Sequence, residues 1–376
     1  MKNTNAAGGG FKIVRRASLS TKNTVLFYAL AVLVAFLIGG ILLCCLKINP
    51  FEFYKEMLTI GMLDNVFAYK SIEGFIKLFV PLLITSLALS LAFKMRFWNV
   101  GGEGQFIVGV ICASAVGIRL GGSLNPAILM ILMIIVGGIG AGLIGALCAF
   151  LKVKLGTNET LMTLMFNYIA LYLLKFFAET KAGWNFFLDP ASERPKFLTF
   201  PDNAWMPTIS FGKFSLNISL IVAILIFVLV HIYLNKTKHG YEIAVVGDSI
   251  NTARYSGMKV GKIIVRTVFI SAFLIGGAGA MHVSSAHIMS TSITNDVGWT
   301  GVIVAWLSKL NPAVICVVSV LITVLQFGCQ AASAEFSAVD DNFANLLQGI
   351  ILFSILAADF LVRFKVVRYK AAKEEN

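Results

Sequence analysis

The run PAILMILMIIVGGIGAGLIGALCAFL occupies residues 126–151 and contains no charged residue over its 26 positions. A helix of about 20 apolar residues is long enough to cross the hydrocarbon core of a bilayer. Strands of globular sheets are far shorter, usually about 3–10 residues. The run therefore predicts a membrane-spanning helix.

The rest of the chain repeats this pattern. Hydrophobic residues make up 58% of the 376 residues and charged residues only 13%, whereas a soluble domain carries roughly 25% charged residues. The sequence thus predicts an all-α, polytopic helical membrane protein with about ten transmembrane helices. Besides 126–151, the candidate spans are 25–46, 74–93, 104–120, 159–178, 215–234, 264–284, 297–309, 311–330 and 342–362.

Two of these candidates, 104–120 and 297–309, are short and rich in glycine or polar residues. Irregular backbone at membrane depth is tolerated where protein rather than lipid surrounds it. We therefore expect both segments to be broken or re-entrant.

The distribution of charge predicts the topology. With ten spans and the N-terminus inside, inner segments carry 21 Lys and Arg against 7 acids, and outer segments carry 10 against 12. Cytoplasmic loops carry an excess of basic residues, so both termini are predicted to be cytoplasmic. The predicted domains are a basic N-terminal segment 1–24, a transmembrane domain 25–362 and a cytoplasmic tail 363–376. The run after the basic leader exceeds the apolar part of a signal peptide, so we expect it to be retained as the first span.

Short sequences recur in the two halves. NVGGEG at 99–104 resembles DVGWTG at 296–301, and NPAI at 125–128 resembles NPAV at 311–314. Each pair precedes the same span in its half, and in the predicted topology the two copies run in opposite directions. Inverted repeats with paired short spans are typical of transporters, so we predict an inverted 5+5 repeat; chance remains the alternative for so few residues.

Catalytic and metal-binding motifs are not apparent. The six cysteines lie in apolar runs without C-x-x-C spacing, and the four histidines form no H-E-x-x-H. Neither a metal site nor a bound cofactor is expected. The basic balance is explained by membrane topology, so no nucleic-acid partner is expected.

Two connecting segments are candidates for contact with partner proteins. The outer segment 179–214 is long for a connector and is either a docking surface or a solvated loop. The inner segment 235–262 is predicted to be a coupling segment, in which Ser249 caps a short helix that Gly257 ends. Ile250 and Ala253 are expected to share one face of that helix.

Four stretches of the sequence resemble a known family. FWNVGGEGQ at 97–105 is similar to F-N-I-G-x-E-G-Q, with Trp98 interposed, and NETLMTLMFNY at 158–168 to N-E-x-x-x-T-L-M-x-N-Y. GDSINTARYSG at 247–257 is similar to G-x-N-P-x-A-A-R-Y-x-G, and GWTG at 298–301 with LNP at 310–312 to G-[FY]-x-G and L-x-x-L-N-P. These resemble the permease subunits of ABC importers for branched-chain amino acids, simple sugars and nucleosides, and most closely the nucleoside branch that works with a basic-membrane-protein lipoprotein.

The resemblance implies a mechanism. A binding lipoprotein would deliver substrate, two permeases (paralogous or identical) would form the pathway in the bacterial inner membrane, and cytoplasmic ATPases would drive it. ATP hydrolysis is expected on a separate subunit, since this sequence has no G-x-x-x-x-G-K-[ST]. Residues expected to contact the ATPase are Gly247, Ser249, Ala253, Arg254, Tyr255 and Gly257.

Polar and aromatic residues of the first, second and fourth motifs are candidates for the substrate pathway, because intramembrane polar groups are often functional. The alternative is that they join helices. These residues are Glu103, Gln105, Thr163, Phe166, Asn167, Trp299 and Thr300. Asn158 and Glu159 are expected to be structural.

Other functions are less consistent with the sequence. A simple-sugar permease of the same superfamily is one alternative. A stand-alone secondary transporter is another, but that class places ionisable residues within its spans, whereas here the charges lie near span ends. A membrane-embedded enzyme would need a catalytic constellation, which the sequence does not show.

Overall fold

The computed structural model describes residues 10–16, 20–62, 67–336, 339 and 342–369. The helices are α1 (Thr21–Cys45), α2 (Pro50–Thr59), α3 (Ala68–Lys94), α4 (Gly102–Leu120), α5 (Pro126–Leu155), α6 (Glu159–Glu179), α7 (Ser219–Lys236), α8 (Lys238–Asp248), α9 (Ile250–Tyr255), α10 (Val260–Ala286), α11 (Val297–Leu307), α12 (Pro312–Glu335) and α13 (Asn342–Arg363). The strands are β1 (Gly10–Arg15), β2 (Thr208–Phe211), β3 (Phe214–Asn217) and β4 (Phe364–Tyr369).

The prediction of a polytopic helical membrane protein is confirmed. Within the described ranges, nine helices are long and apolar enough to cross a membrane: α1, α3, α4, α5, α6, α7, α10, α12 and α13. Every predicted span coincides with a helix. The sixth predicted span begins too early, because residues 215–217 belong to β3 and α7 begins only at Ser219.

The two short candidate spans differ in the structure. Helix α11 has 11 residues and is therefore about 16 Å long, too short for a full crossing, as expected. Helix α4 is continuous over 19 residues, so the expectation that it is broken is wrong. Its glycines do not interrupt it because neighbouring helices pack directly against them, as at Gly109.

The N-P motifs begin helices. Asn125 Oδ1 accepts a hydrogen bond from Ala127 N (3.0 Å) and Asn311 Oδ1 accepts one from Ala313 N (3.0 Å). Asn49 caps the unpredicted helix α2 in the same way. An asparagine cap followed by proline is a general helix start. The recurrence of N-P-A is therefore explained locally, and the inverted repeat stays a prediction.

The described residues form two compact units. One consists of the described parts of 1–61 and 328–376, and the other of the described parts of 62–327. In the first unit, α1 packs against α13, and β1 pairs antiparallel with β4. This pairing places the strand before the first span and the strand after the last span on the same side of the membrane. That side is predicted, not shown, to be cytoplasmic.

In the second unit, α10 packs against α3, α4 and α5. Three glycines let the backbones meet: a Cβ at Gly276 would lie 2.4 Å from Gly137 O, and one at Gly109 would lie 2.3 Å from Gly276 O. We call Gly109, Gly137 and Gly276 the glycine contact. The glycine runs of α5 and α10 therefore serve close helix packing, as small residues do in membranes.

The outer segment between α6 and α7 is folded. Strands β2 and β3 form a hairpin, and Phe187, Phe200 and Met206 are buried. The segment is bound to the end of α10, where Met206 N donates to Ser284 O (3.3 Å). It is therefore more than a solvated loop, and its role in docking a partner stays a prediction.

Candidate functional site

The N-termini of α4 and α11 meet at Glu103. The Gly298 N–H donates to Glu103 Oε2 (2.8 Å), and a Cβ at Gly298 would lie 2.2 Å from Glu103 N. Glu103 is 8% exposed. Helix N-termini carry partial positive charge, so one carboxylate stabilises the first turns of both helices. We call this contact between Glu103 and Gly298 the glutamate junction.

Helix α6 meets α4 at the same end. Asn167 Oδ1 accepts from Gly104 N (2.7 Å), and Asn167 Nδ2 donates to Val100 O (2.9 Å). The hydroxyl of Thr163 accepts from Val100 N (3.2 Å). Asn167 thus bonds the backbone on both sides of the start of α4.

The side-chain amides of Asn99 and Gln105 bond to each other and close the turn before α4. Asn99 Nδ2 donates to Gln105 Oε1 (3.1 Å), while Gln105 Nε2 donates to Asn99 Oδ1 (3.0 Å). Both residues are buried. Buried amides need such partners because an unpaired polar group is expensive in a low-dielectric interior.

The structure therefore brings the predicted pathway residues together but shows them bonded to protein. Glu103 joins α4 to α11, and Thr163 and Asn167 join α6 to the start of α4. Gln105 closes the turn before α4, and Thr300 accepts from Gln326 on α12 (3.3 Å). Helix-joining hydrogen bonds account for these polar contacts. Substrate contact by these residues stays a prediction.

Two aromatic residues beside the junction differ in exposure. Trp299, next to Gly298, is 37% exposed. Phe166 is half-buried, and its carbonyl oxygen lies against Gly104. Trp299 therefore presents an aromatic surface next to the glutamate junction.

The exposed face of α6 is a feature that the motifs did not identify. It carries Met165, Tyr168, Tyr172 and Phe176, all at least half exposed. The exposed face of α5 carries only aliphatic residues between Ile128 and Leu147. Tyrosine in a hydrocarbon environment needs a hydrogen-bond partner for its hydroxyl. The two tyrosines in mid-span are the sequence signal that sets this face apart from the aliphatic face of α5.

Asn158 and Glu159 have the expected structural roles. Asn158 Oδ1 accepts from Thr160 N (3.0 Å) and caps α6. Glu159 forms an ion pair with Lys152 at the end of α5, across the turn that joins the two helices. Both residues thus fix the start of α6 relative to α5.

The coupling segment forms two helices, α8 and α9. Ser249 Oγ accepts from Thr252 N (3.2 Å), so its predicted capping role is confirmed. Gly257 has φ +73° and follows the end of α9, as predicted. Ala253 is fully buried but Ile250 is 43% exposed, so the expectation that the two share a face is wrong. Ile250 is the first residue of α9, and its side chain is not buried with Ala253.

Gly247 joins this segment to the membrane core. A Cβ there would lie 2.1 Å from Lys94 O at the end of α3. Gly101 lies seven residues after Lys94 and ends the turn that leads to Glu103. The motif glycine therefore places α8 directly against the segment that holds the glutamate junction.

The outer surface of α9 is free for a partner. Arg254 is exposed, and Tyr255 is 94% exposed. A tyrosine so exposed contributes little to the stability of its own subunit. Of the predicted coupling residues, Arg254 and Tyr255 are available for contact, whereas Gly247 and Ala253 pack inward.

Charge also fixes α8 to α10. Arg266 donates to Glu242 Oε2 (2.9 Å), and His239 Nδ1 lies 3.3 Å from the same oxygen. The Arg266 guanidinium lowers the pKa of the Glu242 carboxyl, because a nearby positive charge favours the ionised form. Glu242 thus remains an anion near neutral pH.

Comparison with known proteins identifies the family. The family model described as "Branched-chain amino acid transport system / permease component" matches residues 71–356. The match contains the glutamate junction, the start of α6 and the coupling segment. The chain belongs to this family.

Several relatives of this permease align with most of its length. The nucleoside ABC transporter permease protein NupB of Lactococcus lactis is 28% identical, over 93% of this chain and 95% of its own. The guanosine ABC transporter permease protein NupP of Bacillus subtilis is 28% identical, over 78% and 83%. The glucose ABC transporter permease protein TsgB13 of Haloferax volcanii is 25% identical, over 90% and 88%. No solved structure shows a significant match.

The family match and the nine apolar helices of the described residues together show what kind of protein this is. It is a multi-pass membrane permease subunit of the ABC class, which in bacteria lies in the inner membrane. Membership implies, in general terms, ATPase and substrate-binding partners. The resemblance found in the motifs is confirmed.

Proposed function

We propose that this permease carries nucleosides inward as the membrane subunit of an ABC importer. A binding lipoprotein delivers the nucleoside, and a second permease, paralogous or identical, completes the pathway. ATP is bound by the ATPase subunit and no cofactor by this chain. The observation that carries the proposal is the glutamate junction, which lies beside the exposed ring of Trp299 and is connected through Gly247 to the coupling segment. The nucleoside relatives support the substrate.

The pathway is proposed to follow the exposed face of α6 and Trp299. Aromatic rings stack with nucleobases and with the apolar faces of sugars. The hydroxyls of Tyr168 and Tyr172 gain partners there from the second permease or from substrate. The seven predicted pathway residues belong to this region, in which the buried polar members position α4, α6 and α11.

Uptake measurements test the substrate. In a strain deleted for this permease, uptake of labelled guanosine and uridine should fall strongly, while uptake of labelled ribose, galactose and glucose should be unchanged. Reintroducing the gene should restore nucleoside uptake. Unchanged nucleoside uptake in the deletion strain would refute the proposal.

A simple-sugar permease is the second candidate, supported by the glucose relative TsgB13. The same uptake experiment separates the two. Loss of sugar uptake with intact nucleoside uptake would favour this second function.

Contact with the ATPase is proposed to centre on Arg254 and Tyr255. We predict that Tyr255→Ala lowers substrate-stimulated ATPase activity of the assembled transporter by about tenfold, as expected for a buried aromatic interface anchor. The melting temperature of the isolated permease should be unchanged. Tyr241→Ala, at an exposed tyrosine of α8 outside the motif, is the matched control. Equal effects of the two variants would contradict this assignment.

A further inference from the structure

The two ends of the described chain form one structural element. In the pairing of β1 with β4, Lys12 lies opposite Val367, Val14 opposite Lys365, and Phe11 opposite Arg368. The ladder extends to Arg16, whose N–H donates to Arg363 O (2.9 Å). We call residues 10–16 with 363–369 the terminal ribbon.

All charged residues of the terminal ribbon are basic. Its two segments, GFKIVRR and RFKVVRY, contain six basic residues and no acidic one. Arg363 pairs with Asp359 of α13 (2.8 Å), so five basic residues remain besides it. A six-residue strand is about 20 Å long, and paired strands lie about 4.8 Å apart. The backbone positions that carry the six basic residues therefore lie within about 20 Å, or two to three screening lengths at physiological salt.

Such a ribbon is poorly stable in water by itself. Two-stranded sheets are marginal without further packing. Within β1 and β4 each basic residue lies opposite an apolar one, but charges of one sign still repel one another along the ribbon. Negative charge beside the ribbon would therefore stabilise this pairing of residues about 350 positions apart in sequence. An anionic surface beside the ribbon supplies it.

The position of the ribbon identifies that surface. Strand β4 begins at Phe364, directly after the spanning helix α13 ends at Arg363, so the ribbon starts where the membrane ends. Clusters of four to eight basic residues next to a spanning helix bind anionic lipid headgroups. We propose that the terminal ribbon binds the anionic headgroups of the surrounding bilayer.

Topology alone does not require this arrangement. The excess of positive charge in cytoplasmic segments acts on each segment during insertion, and it does so without pairing the two ends of the chain. The pairing brings the two basic segments together into one site. Charges that only orient the chain in the membrane do not need to be brought together.

Lipid retention tests the proposal. The full-length permease is extracted from liposomes of equal phosphatidylglycerol and phosphatidylcholine, and the bound lipids are counted by native mass spectrometry. The wild type should retain phosphatidylglycerol selectively, and raised salt should weaken that selectivity. Neutralising the ribbon should reduce the selectivity by about fivefold or more. The neutralised variant combines Lys12→Gln, Arg15→Gln, Lys365→Gln and Arg368→Gln.

Two further variants make the test specific. A control neutralises four basic residues of the outer segment and should keep wild-type selectivity: Lys181→Gln, Arg194→Gln, Lys196→Gln and Lys213→Gln. The double variant Ile13→Pro and Val366→Pro keeps every charge but breaks the pairing, and it should lose selectivity. Wild-type selectivity in the neutralised or the proline variant, or an equal loss in the outer control, would overturn the proposal.

Discussion

The glycine contact and the glutamate junction lie on the same helix, α4, but hold it to its neighbours in different ways. At the glycine contact, backbones of α4, α5 and α10 meet in mid-helix, where every backbone group is already bonded within its own helix. At the glutamate junction, α4 and α11 begin, and their first N–H groups have no partner within the helix. Mid-helix contacts inside a membrane can rely on shape, whereas helix ends need polar side chains.

The largest expected effect comes from filling the glycine contact. In Gly276→Ala, the new Cβ would lie 2.4 Å from Gly137 O and 2.5 Å from Ala141 Cβ. Backbone atoms cannot move aside as a side chain can, so we predict a destabilisation of about 3 kcal/mol, which exceeds the helix-propensity gain of about 1 kcal/mol. The melting temperature of the permease in nanodiscs measures it.

The adjacent glycine is the control. A Cβ at Gly277 would lie 3.5 Å from Ile134 Cγ2, an ordinary contact. Gly277→Ala should therefore leave the melting temperature unchanged or raise it slightly. If both alanine variants melt alike, shape is not what holds the glycine contact.

The next effect concerns the glutamate junction. Glu103→Ala removes the acceptor of the Gly298 N–H, and a buried donor without a partner costs about 1–3 kcal/mol. Glu103→Gln keeps an oxygen at the same distance and should recover most of that loss. Thermal melting and nucleoside uptake are measured for both. A glutamine variant as unstable as the alanine variant would show that charge, not hydrogen bonding, joins α4 to α11.

A smaller effect is expected where α6 joins α4. Asn167→Ala removes the bonds to Gly104 N and Val100 O and should destabilise the permease by about 1–2 kcal/mol. Met165→Ala, at an exposed position of the same helix, is the control and should change the melting temperature little. Similar melting of the two variants would mean that these hydrogen bonds contribute no net stability.

The smallest effect is at the surface, where Glu242 pairs with Arg266. Because the pKa of Glu242 is lowered in the folded state, its stabilisation is present above the unfolded pKa of about 4.3 and is lost as the pH falls through the folded value. Glu242→Gln should thus lower stability by less than about 1 kcal/mol at pH 7. The difference in melting temperature between wild type and variant should be full at pH 7 and should shrink steadily as the pH falls below about 4.3; a difference that does not shrink would contradict the assignment.

Much of the fold was predictable because its causes are local. Apolar runs, capping residues and the glycines that end helices act within a few residues. These local signals predicted the membrane-spanning helices, the cap at Ser249 and the end of α9. Helix α2 was missed although Asn49-Pro50 is the same signal that begins α5 and α12, because its ten residues are too few and too polar for a span. The continuity of α4 was missed because glycine weakens a helix in isolation but not where another backbone covers it.

The candidate site was predicted as a set of residues rather than as an arrangement. The motif around residues 97–105 and the one at 298–301 were recognised separately, and their contact at Glu103 joins residues 195 positions apart. The sequence also left open whether Asn167 faces substrate or another helix, since the same amide suits both. The structure shows its two backbone partners.

By itself the sequence determined that this protein crosses the membrane many times, where its helices begin, and which permease family its motifs belong to. These properties depend on hydrophobicity and on hydrogen bonds between near neighbours. Only the tertiary structure decided which glycines meet, which helix ends share Glu103, and that the two chain ends pair as a basic ribbon. Those contacts join residues far apart in sequence, and a glycine or a backbone N–H carries no side chain that could reveal its partner.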